Sequence, residues 1–184
     1  MRTEERKIRI GGKLHNARLL FVEESDRPKL RELFQSWKIL FEGLKKFESR
    51  GSTIPEGISE SAFALEFKVP RVISVEGAGA SFDTFDLKQN RRQQIKATSI
   101  EDDLTSFGPE SVWDDLYFLD FYRDGSLDGK FDVYKIPNNL IYNFKVNKRQ
   151  TFTQQQKQGR RPRLHMKRGV ILAHGIKKLT TAQI

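Results

Sequence analysis

Large apolar residues recur every three or four positions between residues 27 and 49. They are Leu30, Leu33, Phe34, Trp37, Leu40, Phe41, Leu44 and Phe47. This spacing predicts one apolar stripe on a long amphipathic helix. Ser25 or Asp26 can cap its start, Pro28 fits its first turn, and Gly51 follows its end. We expect the stripe to pack into the core. A dimer contact is the alternative, because the stripe is long and rich in aromatic rings.

The next segments predict a short helix and then strands. Residues 51–57, "GSTIPEG", have loop composition, and 58–67, "ISESAFALEF", favour a short helix. The proline of "PRVIS" indicates an extended start to a strand. The small residues of "EGAGAS" (76–81) are typical of a flexible connection.

Two strand pairs follow. Residues 81–98, "SFDTFDLKQNRRQQIKAT", predict two strands joined by a polar turn. Residues 114–122 and 130–136 predict a second pair, because Asp-Gly turns lie between them. The apolar segment 169–176 is expected to return to the core. Helices first, then closely spaced strands, favour an α/β sandwich around a central mixed sheet flanked by helices.

Composition narrows the class of protein. A chain of 184 residues fits a single domain with its own hydrophobic core. The absence of cysteine excludes thiolate zinc sites, Fe–S clusters and cysteine nucleophiles, and fits a reducing cytoplasm. The N-terminus lacks the apolar centre of a signal peptide, and no apolar run reaches membrane-spanning length. We therefore expect a cytoplasmic protein with no membrane partner.

Charge is distributed unevenly along the chain. The net charge is +9, but residues 133–184 carry 12 Lys and Arg with no Asp or Glu, whereas the first 132 residues sum to −3. A basic C-terminal third on a nearly neutral body favours a polyanionic partner such as nucleic acid. A solvated basic surface without a ligand is the alternative.

Candidate chemistry lies in residues 81–98. Gln94 and Lys96 are two residues apart, so on a strand both side chains point to one face, and Ile95 points to the core. An acid on the neighbouring strand would complete a site for a divalent metal and a charge-stabilising lysine. Asp83 and Asp86 differ by three positions, so only one can share that face in a regular strand. The turn register decides which, and the same pattern also fits an ordinary surface hairpin.

The order of sequence blocks carries more information than this pattern alone. "SFDTFDLKQNRRQQIKAT" resembles the catalytic core of the PD-(D/E)XK nuclease superfamily. With "DDLTSFGPESVWDDLYFLDFYRDG", "DGKFDVYKIP" and "TFTQQQKQGRRPR", it resembles the Bsp6I family of type II restriction endonucleases, which cut GCNGC. The resemblance covers roughly residues 58–163. It implies a PD-(D/E)XK core and Mg²⁺-dependent cleavage of double-stranded DNA that leaves 5′-phosphate ends.

The resemblance also assigns residues. It makes Asp83 the metal-binding acid, places Gln94 in the slot of the second, usually acidic, ligand, and makes Lys96 the motif lysine. Glu60 is the preferred candidate for the acid that many superfamily members carry on the preceding helix, and Glu76 is the second candidate. Asp86 remains the alternative to Asp83. Glutamine in place of a carboxylate removes one negative charge and weakens metal binding.

Recognition of DNA is expected from the basic C-terminal part. Arginine can read the O6 and N7 edge of guanine, and glutamine can also contact base edges. The predicted DNA contacts are Gln155, Gln156, Lys157, Arg160, Arg161 and Arg163.

The division within the single nuclease domain follows from these assignments. Residues 1–50 form an N-terminal strand and the long helix, 58–136 the catalytic core, and 137–184 the DNA-binding part. A symmetric DNA site implies a homodimer, and a restriction enzyme implies a separate cognate methyltransferase. The alternatives are a repair or junction-resolving nuclease of the same fold and a non-catalytic nucleic-acid-binding protein.

Overall fold

The computed structural model describes residues 1–47, 53–77, 81–101 and 104–184. Within them the helices are α1 (Arg27–Lys45), α2 (Glu56–Phe67), α3 (Asn138–Tyr142) and α4 (Phe152–Lys157). The strands are β1 (Arg2–Ile10), β2 (Lys13–Phe21), β3 (Arg71–Val75), β4 (Thr84–Asp86), β5 (Arg91–Thr98), β6 (Thr105–Ser106), β7 (Asp115–Asp120), β8 (Lys130–Ile136), β9 (Arg163–Leu164) and β10 (Thr180–Gln183). A turn of π-helix spans Met166–Leu172.

One large mixed sheet organises the described residues. Its eight strands lie in the order β1-β2-β3-β4-β5-β7-β8-β10. All neighbours are antiparallel except β5 and β7, which are parallel. Strands β6 and β9 form a separate two-stranded sheet. The prediction of an α/β fold with a central mixed sheet flanked by helices is therefore confirmed.

Helices cover both faces of the centre of this sheet. Strand β7 is buried along its whole length because its side chains alternate between two apolar clusters. Tyr117 and Leu119 pack on the side of α1 and α2. Leu116 and Phe118 pack on the side of α3, α4 and the π-helix. Val170 and Ile171 of the π-helix lie in that second cluster, so the late apolar segment does return to the core.

The segment before the long helix, where the sequence analysis predicts one strand, is a hairpin of two strands. Strands β1 and β2 pair over their full length around Gly11 and Gly12. Both glycines have positive φ, 57° and 84°, as two-residue hairpin turns of this hand require. Six of the nine residues of β1 are charged, four of them in a row, and this leaves little apolar signal. The Gly-Gly pair was the available sign of this hairpin.

Helix α1 begins where the sequence predicts but buries only half of its stripe. Leu30, Phe34, Trp37 and Phe41 pack into the core. A second ridge of the helix faces solvent in the isolated chain, with exposed fractions of 46% for Leu33 and 55% for Leu40, and Phe47, just after the helix, is 85% exposed. The helix ends at Lys45, so the predicted end at residue 49 is too late. The loop start at Gly51 and part of the "EGAGAS" segment lie outside the described residues.

Other elements agree with the sequence within a few residues. Helix α2 starts two residues before the predicted 58–67 helix. The strand predicted at 130–136 has those bounds, and the one predicted at 114–122 is shorter, at 115–120. Within residues 1–47, 53–77, 81–101 and 104–184, no helix is long and apolar enough to cross a membrane.

Candidate active site and DNA interface

The β4–β5 hairpin brings Asp83 and Gln94 into direct contact. Thr84 pairs with Gln93, so the residue before β4 lies opposite Gln94. The Gln94 side-chain amide donates a hydrogen bond to Oδ2 of Asp83, and the backbone N–H of Ile95 donates to the same oxygen at 2.6 Å. The backbone N–H of Asp83 also donates to the carbonyl of Gln93 at 2.9 Å. Asp83 is thus fixed against β5 by both its backbone and its side chain.

Asp86 lies on the other face of the hairpin. It pairs with Arg91, which differs by three positions from Gln94 and so faces away from it. Its Oδ1 accepts hydrogen bonds from the backbone N–H groups of Lys88 and Gln89, at 2.8 and 3.0 Å. This carboxylate stabilises the turn, and the structure does not bring it together with Gln94 and Lys96.

Glu60 reaches the same site from α2. It is 9% exposed and forms an ion pair with Arg71, at the start of β3. Arg71 Nε donates to Glu60 Oε2 at 3.1 Å. The alternative acid, Glu76, contacts β2 instead: its Oε2 accepts a hydrogen bond from the Asn16 amide at 2.8 Å. The geometry therefore groups Glu60, and not Glu76, with the β4–β5 hairpin.

The pKa of Asp83 reflects this crowded environment. Burial raises it, and the negative charge of Glu60 raises it further, whereas Lys96 and the Ile95 N–H oppose the rise. The result is a pKa of about 7 instead of 3.8. Burial also raises the pKa of Glu60, against the lowering effect of Arg71. Because Arg71 pairs with Glu60, the buried Asp83 carboxylate is the group whose negative charge a bound cation would stabilise.

The raised pKa of Asp83 predicts a pH-dependent cost to stability without divalent metal. The protonated Asp83 carboxyl group is more stable in the folded state than in the unfolded state. The free energy of unfolding therefore falls as pH rises from the unfolded pKa of Asp83 towards about 7. Between pH 5 and pH 8 the Asp83 contribution to the free energy of unfolding should drop by roughly 2–3 kcal/mol. Asp83→Asn should lack this drop in urea titrations of the metal-free proteins at the two pH values. If the free energy of unfolding changed equally with pH in the wild type and in Asp83→Asn, the raised pKa would not belong to Asp83.

The donor set suits a hard cation with few protein ligands. Among the described residues, no group of three or more His, Asp or Glu side chains is placed to hold a metal ion. Asp83 and Gln94 instead combine one carboxylate with one amide, and Mg²⁺ accepts one or two protein oxygens while retaining waters. Turning the Gln94 amide by 180° would present its oxygen beside Asp83, since the nitrogen and oxygen positions exchange. These residues fit Mg²⁺.

The basic segment after residue 150 contains a helix that the sequence analysis did not resolve. The Thr151 side chain caps α4 by accepting a hydrogen bond from the backbone N–H of Gln154. The Gln154 side chain in turn accepts one from the backbone N–H of Thr151. Gln155 donates to the Gln150 side chain at 3.3 Å. Gln156 donates to the carbonyls of Gly108 and Ser111, at 3.1 and 3.3 Å. The Gln156 amide group thus braces a neighbouring loop, which leaves its oxygen as the atom able to contact DNA.

The cationic residues of this segment face solvent. Lys157, Arg160, Arg161 and Arg163 are all exposed. Arg161 and Arg163 line a groove of about 460 Å³ together with Gln155. Arg160 lines a second groove of about 500 Å³ with Lys148 and Arg149. Gln155 and the three arginines therefore border grooves, where a polyanion can be contacted by several cations at once.

Arg71 is a site residue that the sequence analysis missed. Its guanidinium group holds Glu60 and also donates to Ser61 Oγ at 3.4 Å. Its backbone pairs with Thr84, next to Asp83. The available signal was an arginine directly after the proline that ends the α2 segment, where the chain turns back along that helix.

Comparison with known proteins identifies the family of the chain. The family model described as Bsp6I restriction endonuclease matches residues 22–173, which exclude the β1–β2 hairpin and β10. The type II restriction enzyme Bsp6I of Bacillus sp. (strain RFL6) is 34% identical over 153 residues, which cover 80% of this chain and 82% of that enzyme. No solved structure matches the chain significantly. The chain belongs to the Bsp6I restriction endonuclease family.

Proposed function

We propose that the protein hydrolyses double-stranded DNA in a Mg²⁺-dependent reaction at the site formed by Asp83, Gln94, Lys96 and Glu60. Its family membership makes it a type II restriction endonuclease. The observation that carries the proposed site is the direct contact between Asp83 and Gln94 on the strand that also bears Lys96. An acid just before one strand of the central mixed sheet, a lysine on the next strand and an acid on a neighbouring helix support a PD-(D/E)XK core.

Each residue has a separate chemical role in this proposal. Asp83 and the Gln94 amide oxygen would hold the cation, and Glu60 would complete the negative environment around it. The Lys96 ammonium group would orient the attacking water and stabilise charge that develops on the phosphate. In-line attack of water at phosphorus would break the P–O3′ bond, so the 3′ oxygen would leave as a hydroxyl and the phosphate would stay on the 5′ end. When bound, the cation would supply positive charge to the phosphate and the attacking water.

The exposed cations of the C-terminal part would hold the DNA. Residues 133–184 carry a charge of +12, which supports contact with phosphates. We assign Gln155, Gln156, Lys157, Arg160, Arg161 and Arg163 to this interface, with at least one arginine reading guanine. One sheet contains strands from both ends of the described chain, which supports a single nuclease domain over residues 1–184.

Replacing Arg160, Arg161 and Arg163 together with alanine should weaken binding to DNA. We expect the affinity to fall on the order of 100-fold at about 0.1 M salt. The slope of log affinity against log salt concentration should become smaller by roughly two to three, because fewer phosphate contacts release fewer counterions. Fluorescence anisotropy over a series of salt concentrations measures both. Lys7→Ala, an exposed cation on the edge strand β1, is the control and should leave both values unchanged. An unchanged salt slope in the triple variant would exclude the arginines as phosphate contacts.

The exposed ridge of α1 supports a homodimer. Leu33 and Leu40 lie seven residues apart on α1 and would bury an apolar strip against a second copy, and the exposed ring of Phe47, just after the helix, would extend it. A twofold dimer supplies one active site for each strand of a symmetric DNA site.

Leu40→Asp should therefore convert the dimer to a monomer, because dimerisation would bury a carboxylate without a partner. Sedimentation velocity at micromolar concentration measures the change. Ile39→Asp is the matched control, since Ile39 is 71% exposed on the same helix but lies off the ridge. A wild-type protein that sediments as a monomer, or equal effects of the two variants, would rule out this interface.

Digestion of long duplex DNA tests the proposed function directly. With Mg²⁺ we expect discrete fragments whose ends map to one sequence, GCNGC, and no cleavage in EDTA. A smear would favour a non-specific nuclease, cleavage of branched substrates alone would favour a junction-resolving enzyme, and intact DNA would favour a binding protein.

In the cytoplasm, such an enzyme requires a cognate methyltransferase that protects the host DNA without physical contact between the two proteins.

A further inference from the structure

Lys96 lies against an aromatic ring that the proposed mechanism does not yet use. Its Nζ atom is 5.5 Å from the centroid of the Phe107 ring, within the distance at which a ring face attracts an ammonium group. The flexible side chain of lysine does not fix the position of its charge. The surroundings of Lys96 must therefore do so. They comprise Phe107 and the carboxylates of Asp83 and Glu60, whose charges interact with Lys96.

Phe107 is itself held in one place. Its side chain has no exposed surface. Its ring meets the Phe152 ring edge-on, with centroids 5.1 Å apart, and lies 5.4 Å from the Trp113 ring. A ring packed against two others in a close-packed core cannot move without opening a cavity. Phe107 therefore offers Lys96 a fixed surface.

The backbone around Phe107 is joined to residues 162–164. The N–H of Phe107 donates to the carbonyl of Pro162 at 3.0 Å. The two residues before it form β6, which pairs with β9, and β9 includes Arg163. The chain on one side of Phe107 is thus attached to the arginine-rich segment that we expect to contact DNA.

The loop after Phe107 is attached to the same segment through α4. The Gln156 amide group donates to the carbonyls of Gly108 and Ser111. Phe152, at the start of α4, supplies one of the rings that pack on Phe107. Residues 105–111 are therefore fastened at both ends to the region between Phe152 and Leu164.

We propose that Phe107 is a positioning residue for Lys96, and that it ties the position of the ammonium group to the placement of DNA against Arg160, Arg161 and Arg163. The inference rests on the proposed function, in which Lys96 acts at the phosphate. Phe107 touches neither DNA nor metal in this scheme. It sets where the charge of Lys96 lies when the arginine-rich segment is fixed by bound DNA.

Phe107→Leu tests the inference because it removes the ring and keeps an apolar side chain. The single-turnover cleavage rate at saturating DNA should fall about tenfold, as expected for loss of one desolvated cation–ring contact. DNA affinity, measured with Ca²⁺ in place of Mg²⁺, should stay within about twofold, because the contact is not to DNA. Phe107→Tyr keeps the ring face and should slow cleavage less than Phe107→Leu does.

Phe131→Leu is the matched control. Phe131 is 1% exposed and belongs to the core cluster on the opposite face of the sheet. It should lower the thermal unfolding midpoint as much as Phe107→Leu while leaving the single-turnover rate within about twofold of wild type. Should the leucine variant not fold, Phe107→Met serves the same purpose.

Three results would overturn the inference: a wild-type rate for Phe107→Leu, an equal slowing by Phe131→Leu, or a defect confined to DNA affinity. The proposed function fails separately. If Lys96→Ala cleaves normally, the role of Lys96 is wrong. If Lys96→Ala is inactive and Phe107→Leu is fully active, only the positioning role is wrong.

Discussion

Asp83→Asn is expected to lower Mg²⁺-dependent cleavage by roughly 10³-fold or more, because Asp83 is the carboxylate that would bind the cation beside Gln94. The substitution keeps the shape of the side chain and its ability to accept the Ile95 N–H. Folding and DNA binding should therefore be preserved. Single-turnover cleavage of a duplex containing the site measures the loss, and anisotropy with the same duplex measures affinity.

Asp86→Asn is the matched control for this result. It changes the same residue type three positions away, where the carboxylate caps the hairpin turn on the opposite face. Its cleavage rate should stay within a few-fold of wild type, with any cost appearing in stability. If Asp86→Asn lost activity and Asp83→Asn kept it, the assignment of the metal ligand would be reversed.

The alternation of side chains on a strand was not enough to choose between Asp83 and Asp86. Alternation on a strand places Gln94 and Lys96 together, and the structure has both on β5. The acid could not be chosen by alternation alone, because its face depends on how many residues the turn contains. Only the pairing of Thr84 with Gln93 sets that number.

Helix α1 shows a second limit. Its apolar periodicity predicted the helix correctly, but the stripe is wider than the surface that the sheet can cover. The core takes Leu30, Phe34, Trp37 and Phe41. Apolar periodicity alone does not distinguish a ridge that faces solvent from one that a second chain covers, because the difference depends on the partner.

Contacts between distant segments were beyond sequence reasoning. The ion pair of Glu60 with Arg71 requires β3 to return alongside α2. The contact of Lys96 with Phe107 requires a loop to be held by residues more than forty positions further along the chain. Neither pair has a characteristic spacing, because each depends on how the sheet and its flanking helices pack.

Lys96→Ala should reduce cleavage about as much as Asp83→Asn does, with DNA affinity within a few-fold of wild type. In the proposed mechanism the ammonium group orients water and stabilises charge that grows only in the transition state, so its loss lowers the rate and leaves binding of the ground state nearly intact. Lys88→Ala is the control, because Lys88 is an exposed cation in the turn of the same hairpin and loses an equal charge. Single-turnover cleavage rates and DNA affinities of both variants, measured with the same duplex, separate a catalytic role of Lys96 from general attraction to DNA. If both variants lose affinity to the same extent and retain the cleavage rate, Lys96 contributes only to general electrostatic attraction and the proposed active site is wrong.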